Sequence, residues 1–229
     1  MEKNYGSMAS KLKNALENFN MAGFEDQQNP FDSLALLLMN YHGIKSGDNT
    51  YLITEIEFYF YSNKHADPYT HRDNEQLTVC KWYFNGMGLD LTFGNKEFEI
   101  YGGILIRGIK KLGESPKYID GPSKVLKELF SCMEDAFTAG NGICLIELPT
   151  DQTMGLSQNH RAKRIGLPQK IEDTNNFRDR KYRYIADLNK DHKFKGKEGV
   201  IIDLIETGDI TKETGVAVLE YMPNILKQK

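Results

Sequence analysis

The sequence predicts an α+β protein, with helical segments towards both ends and a mostly antiparallel sheet between them. Three observations carry this. The stretch Tyr51–Tyr61, YLITEIEFYFY, has no Gly or Pro and is dense in β-branched and aromatic residues, which is strand composition. The residues that follow, up to Ile109, form short apolar runs separated by Asn85-Gly86 and Gly94-Asn95, turn signals that join antiparallel neighbours. The flanks instead carry apolar residues at the spacing of amphipathic helices.

Met8–Phe19 predicts the first helix, because Leu12, Ala15, Leu16 and Phe19 share one face. Asp26 to Pro30 is a break. Asp32 or Ser33 then caps a second helix over Leu34–Tyr41, apolar on most sides and so expected to be buried. Gly43 ends it, and Gly47-Asp48-Asn49 turns the chain into the long strand. Strand alternation puts Leu52, Thr54, Ile56, Phe58 and Phe60 on one face. The other face carries Tyr51, Ile53, Glu55, Glu57, Tyr59 and Tyr61, about 7 Å between successive positions. The first face suits a core. The second is either a solvated face, which accounts for the glutamates, or an aromatic-walled pocket holding an acid, which also accounts for the tyrosines.

Ser62–Gln76 is a polar loop carrying His65, His71 and Arg72. Leu77–Phe84, Leu89–Phe93, Glu97–Tyr101 and Ile104–Ile109 are predicted strands, the last two separated by Gly102-Gly103. Arg107 interrupts an apolar strand, so it either faces outward or belongs to a site. Gly121-Pro122-Ser123 opens a helix over Lys124–Cys132, buried through Val125, Leu126, Leu129 and Phe130. Its first turn leaves amides free for an anion, although most helix starts serve no ligand. Ile143–Leu148 and Tyr182–Leu188 read as late strands. Val200–Leu226 reads as two short helices, the second capped by Asp209.

With 229 residues, 40% hydrophobic and 27% charged, the chain has ordinary globular composition and length for a sizeable core. A net charge of −3 gives no global attraction to nucleic acid, so such a partner needs a local basic patch. Arg161–Arg183 is the basic stretch, with eight cationic side chains against Glu172, Asp173 and Asp179. It is either a phosphate-contacting surface or a solvated loop. Cys80, Cys132 and Cys144 are widely spaced, which argues against a zinc site and a disulfide framework and fits a reducing compartment. MEKNYGSMASKLKNALENF holds no apolar signal core, and no run approaches the roughly 20 apolar residues of a membrane span. The expectation is a cytoplasmic protein with no membrane partner.

Placed in order, these pieces resemble the alkyladenine (3-methyladenine) DNA glycosylase family. TEIEFY, Thr54–Tyr59, is similar to the family strand in which a glutamate and a tyrosine two residues on line the pocket. By that match Glu57 takes the catalytic position and Tyr59 that of a base-stacking aromatic. DPYTHRD, Asp67–Asp73, resembles the segment ending in a pocket histidine, with His71 as the counterpart and His65 as a rival. KWYFNGMGLDLTF, Lys81–Phe93, resembles the family hairpin with its Gly-Met turn at Gly86-Met87. Trp82 then falls at a second stacking position. Asn85 stands where the family has a tyrosine wedged into the minor groove, and the pocket asparagine falls at Thr92. GGILIRGIKKL resembles the strand with a Leu-x-Arg signature, here Leu105 and Arg107. GPSKVLKEL, RIGL and RKYRYI, within residues 121–129, 164–167 and 180–185, resemble further blocks.

The resemblance implies one mixed α+β domain over residues 1–190 with a curved, mostly antiparallel sheet flanked by helices. Residues 191–229 lie beyond it as a C-terminal helical extension packed on that domain. It implies base excision: hydrolysis of the N-glycosidic bond of a flipped alkylated or deaminated purine, without cofactor or metal. Glu57 would deprotonate the attacking water, and Tyr59 and Trp82 would grip the base. Leu105 and Arg107 would help line the pocket, and His71 would hydrogen-bond the nucleotide. Arg107, Arg161, Lys163, Arg164, Arg180 and Arg183 would meet phosphates, with Asn85 and Met87 at the DNA. The partner would be DNA, single-stranded DNA or RNA. The alternatives are a module that binds a modified base without cleaving it, and a relative with an unrelated ligand. Trp82 as core, His71 as a loop histidine and Arg107 as a solvated residue are the structural counterparts of those alternatives.

Overall fold

The computed structural model describes residues 7–19, 29–133, 137, 142–153 and 158–227. Helix α1 (Met8–Glu17) is capped by Ser7, whose hydroxyl accepts the Ser10 amide. Helix α2 (Asn29–Tyr41) starts earlier than expected, so Asp32 lies inside its first turn instead of capping it. Of the expected break, residues 26–28 fall outside the described residues. Gly43 does not simply end α2. The chain runs directly into strand β1 (His42–Ser46), turns at Gly47 in the left-handed region, and enters β2 (Asn49–Ser62).

The supposed polar loop contains a two-residue strand, β3 (His65–Ala66), and a 3-10 turn at Asn74–Leu77. Strands β4 (Val79–Phe84), β5 (Leu89–Phe93) and β6 (Tyr101–Lys111) follow. Glu97–Tyr101 is not a separate strand. It is a turn closed by an Asn95–Ile100 bridge, with Glu99 in the left-handed region. Gly102 and Gly103 do not break β6. They lie within it because Phe93 and Asp90 approach so closely that a Cβ would meet them at 3.0 and 2.9 Å. Then come β7 (Lys117–Asp120), α3 (Pro122–Ser131), β8 (Ile143–Glu147), β9 (His160–Ala162) and β10 (Arg183–Ile185). Three helices complete the chain: α4 (Lys197–Glu206), α5 (Lys212–Leu219) and α6 (Asn224–Lys227). Thr211, not Asp209, caps α5, its side chain accepting the Thr214 amide.

The fold is α+β, with a curved antiparallel sheet flanked by helices. The main strand order is β4-β5-β6-β2-β1-β8. β2 is the hub. It pairs with β6 along one edge, and with β1, β10 and β3 in succession along the other. Thr54 and Arg107 sit at register shifts in the β2–β6 ladder, each strand carrying one residue out of step. This corrects the simple alternation. Before the shift Tyr51 and Ile53 face the core; after it Ile56, Phe58 and Phe60 do. Glu55, Glu57 and Tyr59 keep the opposite face.

The core lies under α1, α2 and α3. Phe31 of α2 stacks on Phe58 at 4.5 Å, and Phe60 stacks on Phe93 at 5.8 Å. Each such buried aromatic contributes about 1.5–3 kcal/mol of transfer free energy. The C-terminal segment is tied in by Phe194, packed with Ala162 and Ile185, and by a Lys181–Asp203 ion pair. The other face of the sheet is polar, and there the candidate site lies. No helix is long and apolar enough to cross a membrane.

Candidate active site

β2, β6 and β10 bring four ionisable side chains together beneath the polar face. Arg183 sits opposite Glu57 across the β10–β2 pair, and Arg107 comes from β6 at the register shift. Glu55 Oε1 accepts from Arg107 Nε and Arg183 Nε, both at 2.8 Å. Glu57 Oε2 accepts from the Tyr59 hydroxyl at 2.7 Å and Arg107 Nη1 at 3.3 Å. Its Oε1 accepts the Ile165 amide at 2.9 Å. Burial first, then the Glu57 carboxylate, raises the Tyr59 hydroxyl pKa well above the ordinary tyrosine range. Both carboxylates are buried. Taking such charges out of water costs several kcal/mol per ion, and apolar residues of similar volume would serve stability as well or better. Networks of this kind cluster at functional sites.

Above the network opens a cavity of about 930 Å³. Tyr59, His71, Asn85, Met87, Leu105 and Arg107, all expected from the sequence, line it together with Glu55. Glu57 is one layer deeper. It is fully buried and hydrogen-bonded to the Tyr59 hydroxyl and the Arg107 guanidinium, both from lining residues, so it is neither solvated nor set among aliphatics. The Tyr59 ring is backed by the Arg164 guanidinium, 4.8 Å from its centroid. His71 is exposed at the mouth, 4.0 Å from Asp73. Its rival His65 is a core residue: its ring nitrogens bond Phe60 O and the Tyr182 hydroxyl, and burial lowers its pKa to about 4.

Two pocket expectations are corrected. Trp82 does not line the cavity. Cys80 has φ +58°, the β4–β5 register shifts between Val79 and Trp82, and Trp82 is turned to the core side, opposite Leu91. Its indole N–H donates to Ile143 O at 2.9 Å. The second aromatic of the wall is Tyr69, from the same loop as His71. Thr92 is not a pocket residue either; its hydroxyl is engaged with Lys81 and Thr78 inside the hairpin. Asn85 is not free to enter a duplex. Its Oδ1 accepts the Met87 and Gly88 amides and its Nδ2 donates to Asp90, which holds the turn.

The basic stretch is largely internal. Arg164 is buried in a two-bond pair with Asp67, at 2.6 and 3.1 Å, and Arg183 is buried on Glu55. Neither guanidinium is open to solvent. Arg161 pairs with Asp32 and Lys163 with Asp179, while Arg180 lies over Phe177 at 3.9 Å. Cations do ring the cavity, but they come from elsewhere: Arg72, Lys124, Lys193 and Lys195 are exposed lining residues. Lys193 and Lys195 belong to the C-terminal segment, and Lys195 O accepts from Arg183. The segment beyond residue 190 therefore helps build the cavity.

Asp90 is a lining residue that sequence reasoning missed. It sits on β5 between Leu89 and Leu91 and is 1% exposed. Burial first, then the negative charges of Glu57 and Asp73, raises its pKa to about 7, against the Asn85 N–H that lowers it. An acid in an otherwise apolar strand was the available signal. Among the described residues, no group of three His, Cys, Asp or Glu side chains is placed to hold a metal ion.

No protein-family model matches this chain. It is similar to an uncharacterized protein of Acanthamoeba polyphaga mimivirus, 28% identical over 187 residues, which cover 68% of this chain and 85% of that protein.

Proposed function

We propose that this protein is a DNA N-glycosylase that removes an alkylated or deaminated purine from an extruded nucleotide. The observation that carries this is the convergence of Tyr59, His71, Leu105 and Arg107 on a cavity of about 930 Å³ with the buried Glu57 hydrogen-bonded to two of its walls. A purine enters between Tyr59 and Tyr69 on one side and Leu105 and Met87 on the other. The Tyr59 hydroxyl turns from Glu57 to the nucleotide, and a water takes its place on the carboxylate. Glu57 accepts that water's proton as its oxygen attacks the sugar C1′. The oxocarbenium-like transition state is positive, and the carboxylates of Glu55 and Glu57 stabilise it. Arg107 fixes both.

Asn85 in place of an intercalating aromatic favours single-stranded substrate, where no duplex stack must be filled. The exposed cations at the mouth supply the phosphate attraction that a net charge of −3 does not. A second reading is favoured by one observation: three donors already occupy Glu57. On that reading the cavity binds a modified base without cleaving it.

Oligonucleotides carrying hypoxanthine or an alkylated purine, single-stranded and duplex, separate the two. Base release, measured as alkali-labile sites, is expected from single strands at least as fast as from duplex. Saturable, salt-sensitive binding with no release supports the binding module. Neither binding nor release sinks both readings.

A further inference from the structure

The mechanism above leaves one buried carboxyl of the cavity unused. Asp90 lines the same cavity as Arg107 and Tyr59. Its Oδ1 accepts from Asn85 Nδ2 at 2.9 Å. Among the described residues no hydrogen bond reaches its Oδ2. That oxygen is cradled over Gly103, where a Cβ would stand 2.9 Å both from it and from Gln76 Nε2. Gln76 is itself a buried lining residue whose amide oxygen is held by the Arg72 N–H. A side chain at position 103 would close this corner, and glycine keeps it open. Two polar groups thus reach the cavity wall with capacity to spare, opposite in character to the ion-paired Glu55 and Glu57.

The groups around Asp90 set its charge. Glu57 on β2 and Asp73 on the 67–77 loop act on it with negative charge, and Asn85 is its neutral donor. Tyr83, its cross-strand partner on β4, gives its hydroxyl to Asp73. Leu105 is its partner on β6, and Arg107, two residues on, is committed to Glu55 and Glu57. His71, the lining histidine, is 61% exposed at the mouth.

We propose that Asp90 is the general acid of the site, protonating the departing purine while Glu57 deprotonates the water. This rests on the N-glycosylase reading. The water oxygen forms the new bond to C1′, and its proton passes to Glu57. The C1′–N9 bond breaks and its electron pair moves to the purine. The Asp90 proton passes to a ring nitrogen, so the base departs neutral. Solvent then reprotonates Asp90 and deprotonates Glu57. Glu57 is held by Arg107, the Tyr59 hydroxyl and the Ile165 amide, whereas Asp90 meets one neutral donor, so the two carboxyls are placed for different roles. The substrate class follows. A deaminated purine is uncharged and a poor leaving group, so it needs the acid. A ring-alkylated purine already carries positive charge and does not.

Single-turnover release of hypoxanthine and of 7-methylguanine, from the same single strand, tests this. Asp90→Asn keeps the acceptor for Asn85 and removes the proton. It is expected to lose at least about 10²-fold more rate on hypoxanthine than on 7-methylguanine. Equal losses on the two bases, or no loss on hypoxanthine, overturn the proposal. Should the variant fail to fold, wild-type pH profiles decide. Hypoxanthine release falling about tenfold per unit above pH 7, with 7-methylguanine release level, supports the acid. Identical profiles overturn it. Wild-type protein that releases neither base removes the glycosylase reading, and the role of Asp90 falls with it.

Discussion

Asp90→Asn is expected to stabilise the protein, and to do so more as the pH rises. The folded state holds the Asp90 proton up to about pH 7, whereas an unfolded chain releases it near 3.8. Between those values the native state binds more protons than the unfolded state, so wild-type stability falls as pH climbs through the window. A shift of about three units at 1.36 kcal/mol each sets a ceiling of ~4 kcal/mol. Integrated between pH 5 and pH 8, the part that changes is about 2–3 kcal/mol. Asparagine has no proton to lose. The difference in unfolding free energy, variant minus wild type, should therefore grow by that amount from pH 5 to pH 8. Urea denaturation at constant ionic strength measures it, and the subtraction cancels every group the two proteins share. Parallel stability curves would refute the argument, because Asp90 would then ionise alike in folded and unfolded chains. A growing gap would mean that this carboxyl is retained at a cost in stability, the pattern expected of a functional group.

Other outcomes follow from the same geometry. Arg164→Met leaves Asp67 buried without its partner and should destabilise the protein by about 3–5 kcal/mol, seen in the same denaturation curves. Lys193→Glu with Lys195→Glu should weaken binding of a single-stranded oligonucleotide and flatten its salt dependence. Lys163→Glu, at a lysine already paired with Asp179, should change binding far less. Gly103→Ala drives a methyl against Asp90 Oδ2 and Gln76 Nε2, and should slow hypoxanthine release by a larger factor than 7-methylguanine release.

Local composition made much of this fold legible. The β2 stretch is aromatic and β-branched throughout, Asn85-Gly86 turns as its residues dictate, and the apolar stripe of α1 packs as its spacing requires. What misled was non-local. Alternation assumes a regular ladder, and the shifts at Thr54 and Arg107 reverse it for Tyr51 and Ile53. The kink at Cys80 does the same to Trp82. β1 and β7 are too short, and too close to Gly and Lys, to announce themselves. Charge counting finds a basic stretch but not its partners: Arg164 meets Asp67 from 97 residues away, and Arg183 meets Glu55 from 128. Lys193 and Lys195 at the cavity mouth lie instead in a segment that no block resemblance covered.

Single-turnover base release by wild type and Glu57→Gln, with oligonucleotide affinity measured alongside, tests the account at its centre. Glutamine keeps the size and an acceptor for Tyr59, Arg107 or Ile165, but it takes up no proton from water. The account predicts release by the wild type, a loss of at least about 10²-fold in the variant, and little change in affinity. Undiminished release by Glu57→Gln would contradict it.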